Sequence, residues 1–176
     1  MPAPLKIALI VLVVLSGAFD LRTRKIPNWL TASGILAGLG LQCWTGGIHG
    51  LAVAMLGMGL AILVYLPLYL LRGMGAGDVK LMAAVGTVCG PSIWFHVFLA
   101  TALLGGLVAL ILAAAKSRLR TTLLNLAGIV SALLRGVAPS TRDPELDFRN
   151  PRALRLPHGA VIASGSVACL LLGALS

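Results

Sequence analysis

The chain has 176 residues, 59% hydrophobic and 11% charged, with a mean hydropathy of +0.99. Soluble domains carry about 25% charged residues, so the composition excludes an ordinary soluble fold and points to one integral membrane domain spanning 1–176. The net charge of +9 is distributed between apolar blocks rather than over a solvated face, which argues against a nucleic-acid partner.

In chain order, apolar runs predict an all-α, polytopic membrane helix bundle of about six transmembrane segments, at 4–20, 29–45, 48–71, 78–94, 95–115 and 156–175. The first run, with Lys6 before it and Ser16, Gly17 and Ala18 at its end, has some character of a signal peptide. The stronger basic cluster of Arg22, Arg24 and Lys25 follows the run, however, and orients it as a membrane helix with its N-terminus outside. With six crossings both termini lie outside, and every Lys and Arg except Lys6 falls on the cytoplasmic side. The fourth segment is the shortest, since Val79 to Cys89 rises only about 16 Å as a helix before Pro91 interrupts it. It is taken as a short crossing, with Trp94 as an interfacial anchor, because otherwise the eight basic residues of 116–155 would move outside.

Within that polar interval Leu119, Leu123, Leu126, Val130 and Leu133 recur at helical spacing, predicting one cytoplasmic amphipathic helix, readable as a membrane-hugging connector or as a substrate platform or lid. Gly34-x-x-x-Gly38 and Gly86-x-x-x-Gly90 suit close helix packing within the chain and imply no oligomeric state. Cys43, Cys89 and Cys169 contain no C-x-x-C pair and are expected to be buried apolar groups, neither zinc ligands nor a disulfide framework.

Five residues are acidic. Asp143, Glu145 and Asp147 lie in the polar interval, whereas Asp20 and Asp78 are attached to membrane segments, where a carboxylate is costly and usually marks function. Taken singly, each is equally well read as an interfacial residue that ends or caps a helix. The predicted topology changes that, because it puts the end of segment one and the start of segment four on the same face at similar depth. Two neighbouring carboxylates can share one proton, since ionising both is unfavourable. The ionised partner can then activate a water against a peptide carbonyl while the protonated one polarises the carbonyl oxygen and supplies the leaving amine. His49 and His96 are expected near the outer face, so only His158 lies near the acids, too little for a zinc site or a Ser-His triad. No cofactor or metal is expected.

Beyond Asp20 the chain reads Asp-Leu-Arg-Thr-Arg-Lys-Ile-Pro-Asn-Trp, where Pro27 suits a first helical turn and Asn28 can satisfy free amides. Around Asp78, Gly73-Met74-Gly75-Ala76-Gly77-Asp78-Val79-Lys80 is a poor helix interior and suits a loop against a peptide substrate. No phosphate-loop pattern is present. Lys80 points away from Asp78 on a helix and is chiefly a topology determinant, with a secondary chance of touching substrate.

Together these motifs resemble the type IV prepilin peptidase family, the Gly-x-Gly-Asp membrane aspartyl proteases. Gly75-Ala76-Gly77-Asp78-Val79-Lys80 is similar to its second catalytic motif, and Asp20 with Ile26-Pro27-Asn28 to its first. Leu156-Pro157-His158-Gly159-Ala160-Val161-Ile162 resembles its Pro-Tyr-Gly-x-Ala-Ile segment, with His158 in place of the aromatic. The resemblance implies Asp20 and Asp78 as the catalytic pair, and Pro27, Asn28, Gly75, Gly77, Lys80, Pro157 and Gly159 as substrate-binding or loop-shaping residues. It also implies cleavage of a prepilin or pseudopilin leader peptide at the cytoplasmic face of the bacterial inner membrane, after a Gly and before an apolar helix. The first helix begins within about five residues of Met1, so the methylating region of longer members is not expected. The chain is most similar to short, peptidase-only members associated with tight-adherence (Flp-type) pili. Rival readings are a transporter using buried acids, against which the interfacial position of the acids counts, and an inactive pilus-assembly scaffold, which would tolerate loss of either acid.

The topology predicts that reporter domains inserted within 43–48 are active outside the membrane and those within 116–155 are active in the cytoplasm. A fusion series checks this, and an external 116–155 would overturn the map.

Overall fold

A lipid core offers the backbone no water, so apolar runs of this length satisfy their amides as helices. In a computed structural model, which describes residues 1–70, 74–115 and 158–171, they do so almost throughout. The elements are α1 (Ala3–Thr23), α2 (Asn28–Leu70), α3 (Ala76–Ala115) and α4 (His158–Leu171). The first three are long and apolar enough to cross a membrane, and α4 is a shorter apolar helix. The amphipathic helix expected in 116–155, and Pro157, lie outside the described residues.

Both longest helices are folded in two. Gly47 (φ 57°, ψ −141°) and Gly90 (φ 73°, ψ 173°) adopt backbone conformations open essentially to glycine alone. The Gly50 backbone packs directly against the carbonyl of Gln42, although eight residues of straight helix would separate them by about 12 Å. The chain therefore reverses at Gly47. It reverses again at Gly90, where the Trp94 indole N–H donates to the Met82 carbonyl at 3.2 Å, a pair that a straight helix would hold about 18 Å apart. Each hairpin thus has two arms, 28–46 with 48–70 and 76–89 with 91–115.

The second reversal corrects two expectations. The fourth segment ends at Gly90 rather than at residue 94, since Pro91 has no amide to continue the ladder. Trp94 is fully buried, not an interfacial anchor: it stacks on Phe98 at 5.5 Å and meets Tyr65 edge-on. The break also strands the Val88 carbonyl, which accepts a hydrogen bond from Gln42 Nε2 at 3.0 Å. In lipid such a partner replaces the missing water.

The arm 76–89 is the centre of the bundle, and every residue from Leu81 to Gly90 is buried. Arm 28–46 lies along it through small residues: a Cβ on Gly34 would reach 3.4 Å from Ala84, and one on Gly38 would reach 2.9 Å from Thr87 Cγ2. Arm 48–70 comes closer still, with the Gly57 and Gly86 backbones in direct contact, as small residues permit in lipid. The glycine spacings seen in the sequence thus pack within one chain. Leu5, Leu9, Leu12, Val13, Ser16, Gly17 and Asp20 form the buried seam of α1, while Ile7, Val11 and Val14 face outward. Helix α4 fills the remaining side, with Gly17 of α1 against Ala163 and Gly165 against Thr101 of α3.

A methyl group at Gly86 has no room, whereas one at Gly59 meets nothing within 4 Å. Gly86→Ala is expected to destabilise the bundle by about 2 kcal/mol or more, and Gly59→Ala to be neutral or slightly stabilising. Apparent Tm in detergent checks the difference.

Candidate active site

Asp20 is the last buried residue of α1. Four residues later Arg24 adopts a left-handed conformation (φ 51°), its N–H closing the helix on the Asp20 carbonyl at 2.9 Å. Thr23 Oγ1 lies within hydrogen-bond distance of both the Phe19 and Lys25 carbonyls, at 2.9 and 3.1 Å, with one proton to share between them. The chain then re-enters as α2, with the Phe19 and Trp29 rings edge-on at 6.0 Å across the reversal.

The Asp20 carboxylate is turned toward the start of α4. Its Oδ2 accepts the Ala160 N–H at 3.2 Å, so a backbone donor and the positive end of a helix dipole answer the charge. Gly159 makes this possible. A Cβ there would lie 2.9 Å from Asp20 Cβ and 3.1 Å from both Cγ and Oδ2, so any larger residue would push the carboxylate away.

Asp78 occupies the first turn of α3, where its amide and that of Val79 donate to the Gly75 carbonyl. It is as buried as Asp20, at 8% against 7% exposure. The two carboxylates lie within electrostatic reach of one another, with the His158 ring in reach of Asp78. Two acids from opposite ends of the first hundred residues thus share one edge of the bundle.

The other motif residues gather around them, in roles that differ partly from those expected. Gly75 precedes the helix, but Gly77 lies inside its first turn rather than in a loop. A Cβ at Gly77 would make only an ordinary 3.5 Å contact with Ile26, so the turn after α1 lies beside this residue without requiring a glycine there. Pro27 stands just before α2 rather than within its first turn, and its carbonyl accepts the Leu30 and Thr31 amides. The Asn28 side chain does not cap the helix in these contacts: Oδ1 accepts a 2.9 Å hydrogen bond from Lys80 Nζ. Pro157 is outside the described residues. Among the described residues no three His, Cys, Asp or Glu side chains are grouped as a metal site would need.

Two contributors escaped the sequence reading. Ala160 acts through its backbone amide, which no side-chain pattern reveals. Tyr65, 3% exposed, holds its ring edge-on to Trp94 and Phe98, with its phenol in electrostatic reach of Asp78. A tyrosine inside an apolar run was the available signal, since a buried hydroxyl needs a polar neighbour.

No curated protein and no solved structure matches the chain. Residues 7–110, more than half of the sequence and the stretch that carries both carboxylates, match the type IV leader peptidase family. The chain, a helical membrane protein, belongs to the type IV leader peptidase family.

Proposed function

We propose that this peptidase is an aspartic endopeptidase in which Asp20 and Asp78 hydrolyse the leader of type IV prepilin-like precursors, of Flp type, without methylating the product. The observation that carries the reading is two buried carboxylates within electrostatic reach of one another in an apolar bundle. Close acids divide their labour because one proton is retained between them. The ionised member takes a proton from a water held between the two as that water attacks the scissile carbonyl. The protonated member donates to the carbonyl oxygen, and the tetrahedral intermediate collapses with proton transfer to the leaving amine.

The surroundings suit such a cycle. Ala160 N–H holds the Asp20 carboxylate at the start of α4, and Tyr65 presents a polar group near Asp78 within an otherwise apolar wall. The reading includes six crossings, both termini outside and the acids at the cytoplasmic face of a bacterial inner membrane. On this reading the folded-back arms of α2 and α3 would supply the additional passes. A substrate whose basic leader precedes an apolar helix would then dock its helix in lipid and present its scissile bond at the depth of the acids.

Coexpression with a prepilin precursor tests the assignment. Asp20→Asn and Asp78→Asn are each expected to reduce leader removal by about 100-fold or more, the scale of a lost acid–base partner, at unchanged membrane levels. Full processing by both variants would reject the pair. Gly159→Ala is expected to impair processing strongly by displacing Asp20, and a wild-type rate in this variant would show that the contact with α4 is dispensable.

A further inference from the structure

The separation of the two acids is set by how the end of α1 sits on the start of α3, and a polar tether spans that junction. Lys80 Nζ donates to Asn28 Oδ1 at 2.9 Å, joining residues 52 apart in sequence. Asn28 opens α2 directly after the turn that follows Asp20, and Lys80 lies half a turn beyond Asp78. Ile26 of the same turn lies against Gly77 of α3, and Phe19 of α1 meets Trp29 of α2, so the turn has contacts with α1, α2 and α3.

We infer that Lys80 and Asn28 are positioning residues, a clamp that holds the Asp20 turn against the first turn of α3 and so maintains the spacing of the carboxylates. This rests on the proposed aspartic mechanism. Two side chains otherwise assignable to substrate contact or to membrane topology are joined to each other. Asp78 points into the bundle while Lys80 is exposed on the opposite side of the turn, so the ammonium acts on the site through the backbone that carries Asp78. Both side chains are exposed and the bond is open to water, which keeps its contribution modest. Reaction rate is nevertheless sensitive to small displacements of catalytic groups.

The test is steady-state cleavage of a purified prepilin precursor in detergent micelles, with Asp20→Asn and Asp78→Asn run in parallel. Lys80→Met and Asn28→Ala are each expected to lower kcat about fivefold to tenfold with KM unchanged, the pattern of lost transition-state positioning. The double variant should be no slower than the slower single, because both remove the same bond. The exchange Asn28→Lys/Lys80→Asn keeps the net charge of the face and restores a donor–acceptor pair, so it is expected to recover kcat to within about twofold. If Lys80→Met fails to accumulate, Asn28→Ala and Asn28→Asp suffice: Asp keeps an acceptor for Lys80 and retains kcat, and Ala does not. A raised KM with additive losses would make the pair substrate contacts, and either this outcome, unchanged kcat in the single variants or an unrecovered exchange overturns the clamp. Full cleavage by the two aspartate variants would instead remove the mechanism on which it rests.

Discussion

A carboxylate at the rim of an apolar bundle must have its charge answered locally, and here backbone dipoles help to do so. Asp78 sits in the first turn of α3, and Asp20 accepts an amide from the first turn of α4. Helix N-termini present unsatisfied N–H groups and a partial positive charge, so they hold an anion without neutralising it as a fully engaged cation would. The arrangement dictates topology. The end of α1 has to meet the starts of two other helices on one face, and the alternation of direction along the chain brings that about. Gly159 then becomes the tightest point of the site, because the α4 backbone must come within contact distance of the Asp20 side chain.

The same requirement of local satisfaction governs the deeper parts of the bundle. Folding α2 and α3 at Gly47 and Gly90 interrupts helical hydrogen bonds, and groups freed inside the packed bundle need protein partners. Gln42 reaches across to the Val88 carbonyl, and the Trp94 indole finds the Met82 carbonyl. The two polar side chains therefore link the arms they belong to with the central one. Small residues complete the arrangement where backbone meets backbone, at Gly57 and Gly86, since only the absence of a side chain allows so close an approach.

Much of this was legible in the sequence because its signals are large. Composition identified a membrane bundle, apolar run length marked the arms, and two acids outside the polar interval stood out. The misreadings have a common physical origin. Trp94 was assigned to an interface because an indole in a membrane protein is often found there, but the position of the Gly90 reversal turned it inward. Gly77 was assigned to a loop on glycine content, although one glycine in a first helical turn is tolerated when a neighbour packs against it. Asn28 was assigned to its own helix end, yet its partner is a lysine brought near by tertiary folding. Ala160 carries no side-chain chemistry at all. Pairings between distant segments, and the contributions of main-chain groups, are set by the assembled fold and leave little mark on local sequence.

The central arm of α3 has one further implication. At 14 residues before the Gly90 reversal it is about 21 Å long, too short to span a bilayer core of about 30 Å unaided. From Leu81 onward it is enclosed by protein, so lipid scarcely touches it and does not feel the shortfall. A close-packed rod of this kind cannot tilt or slide without opening voids. Asp78 is therefore carried by an element that packing holds in place.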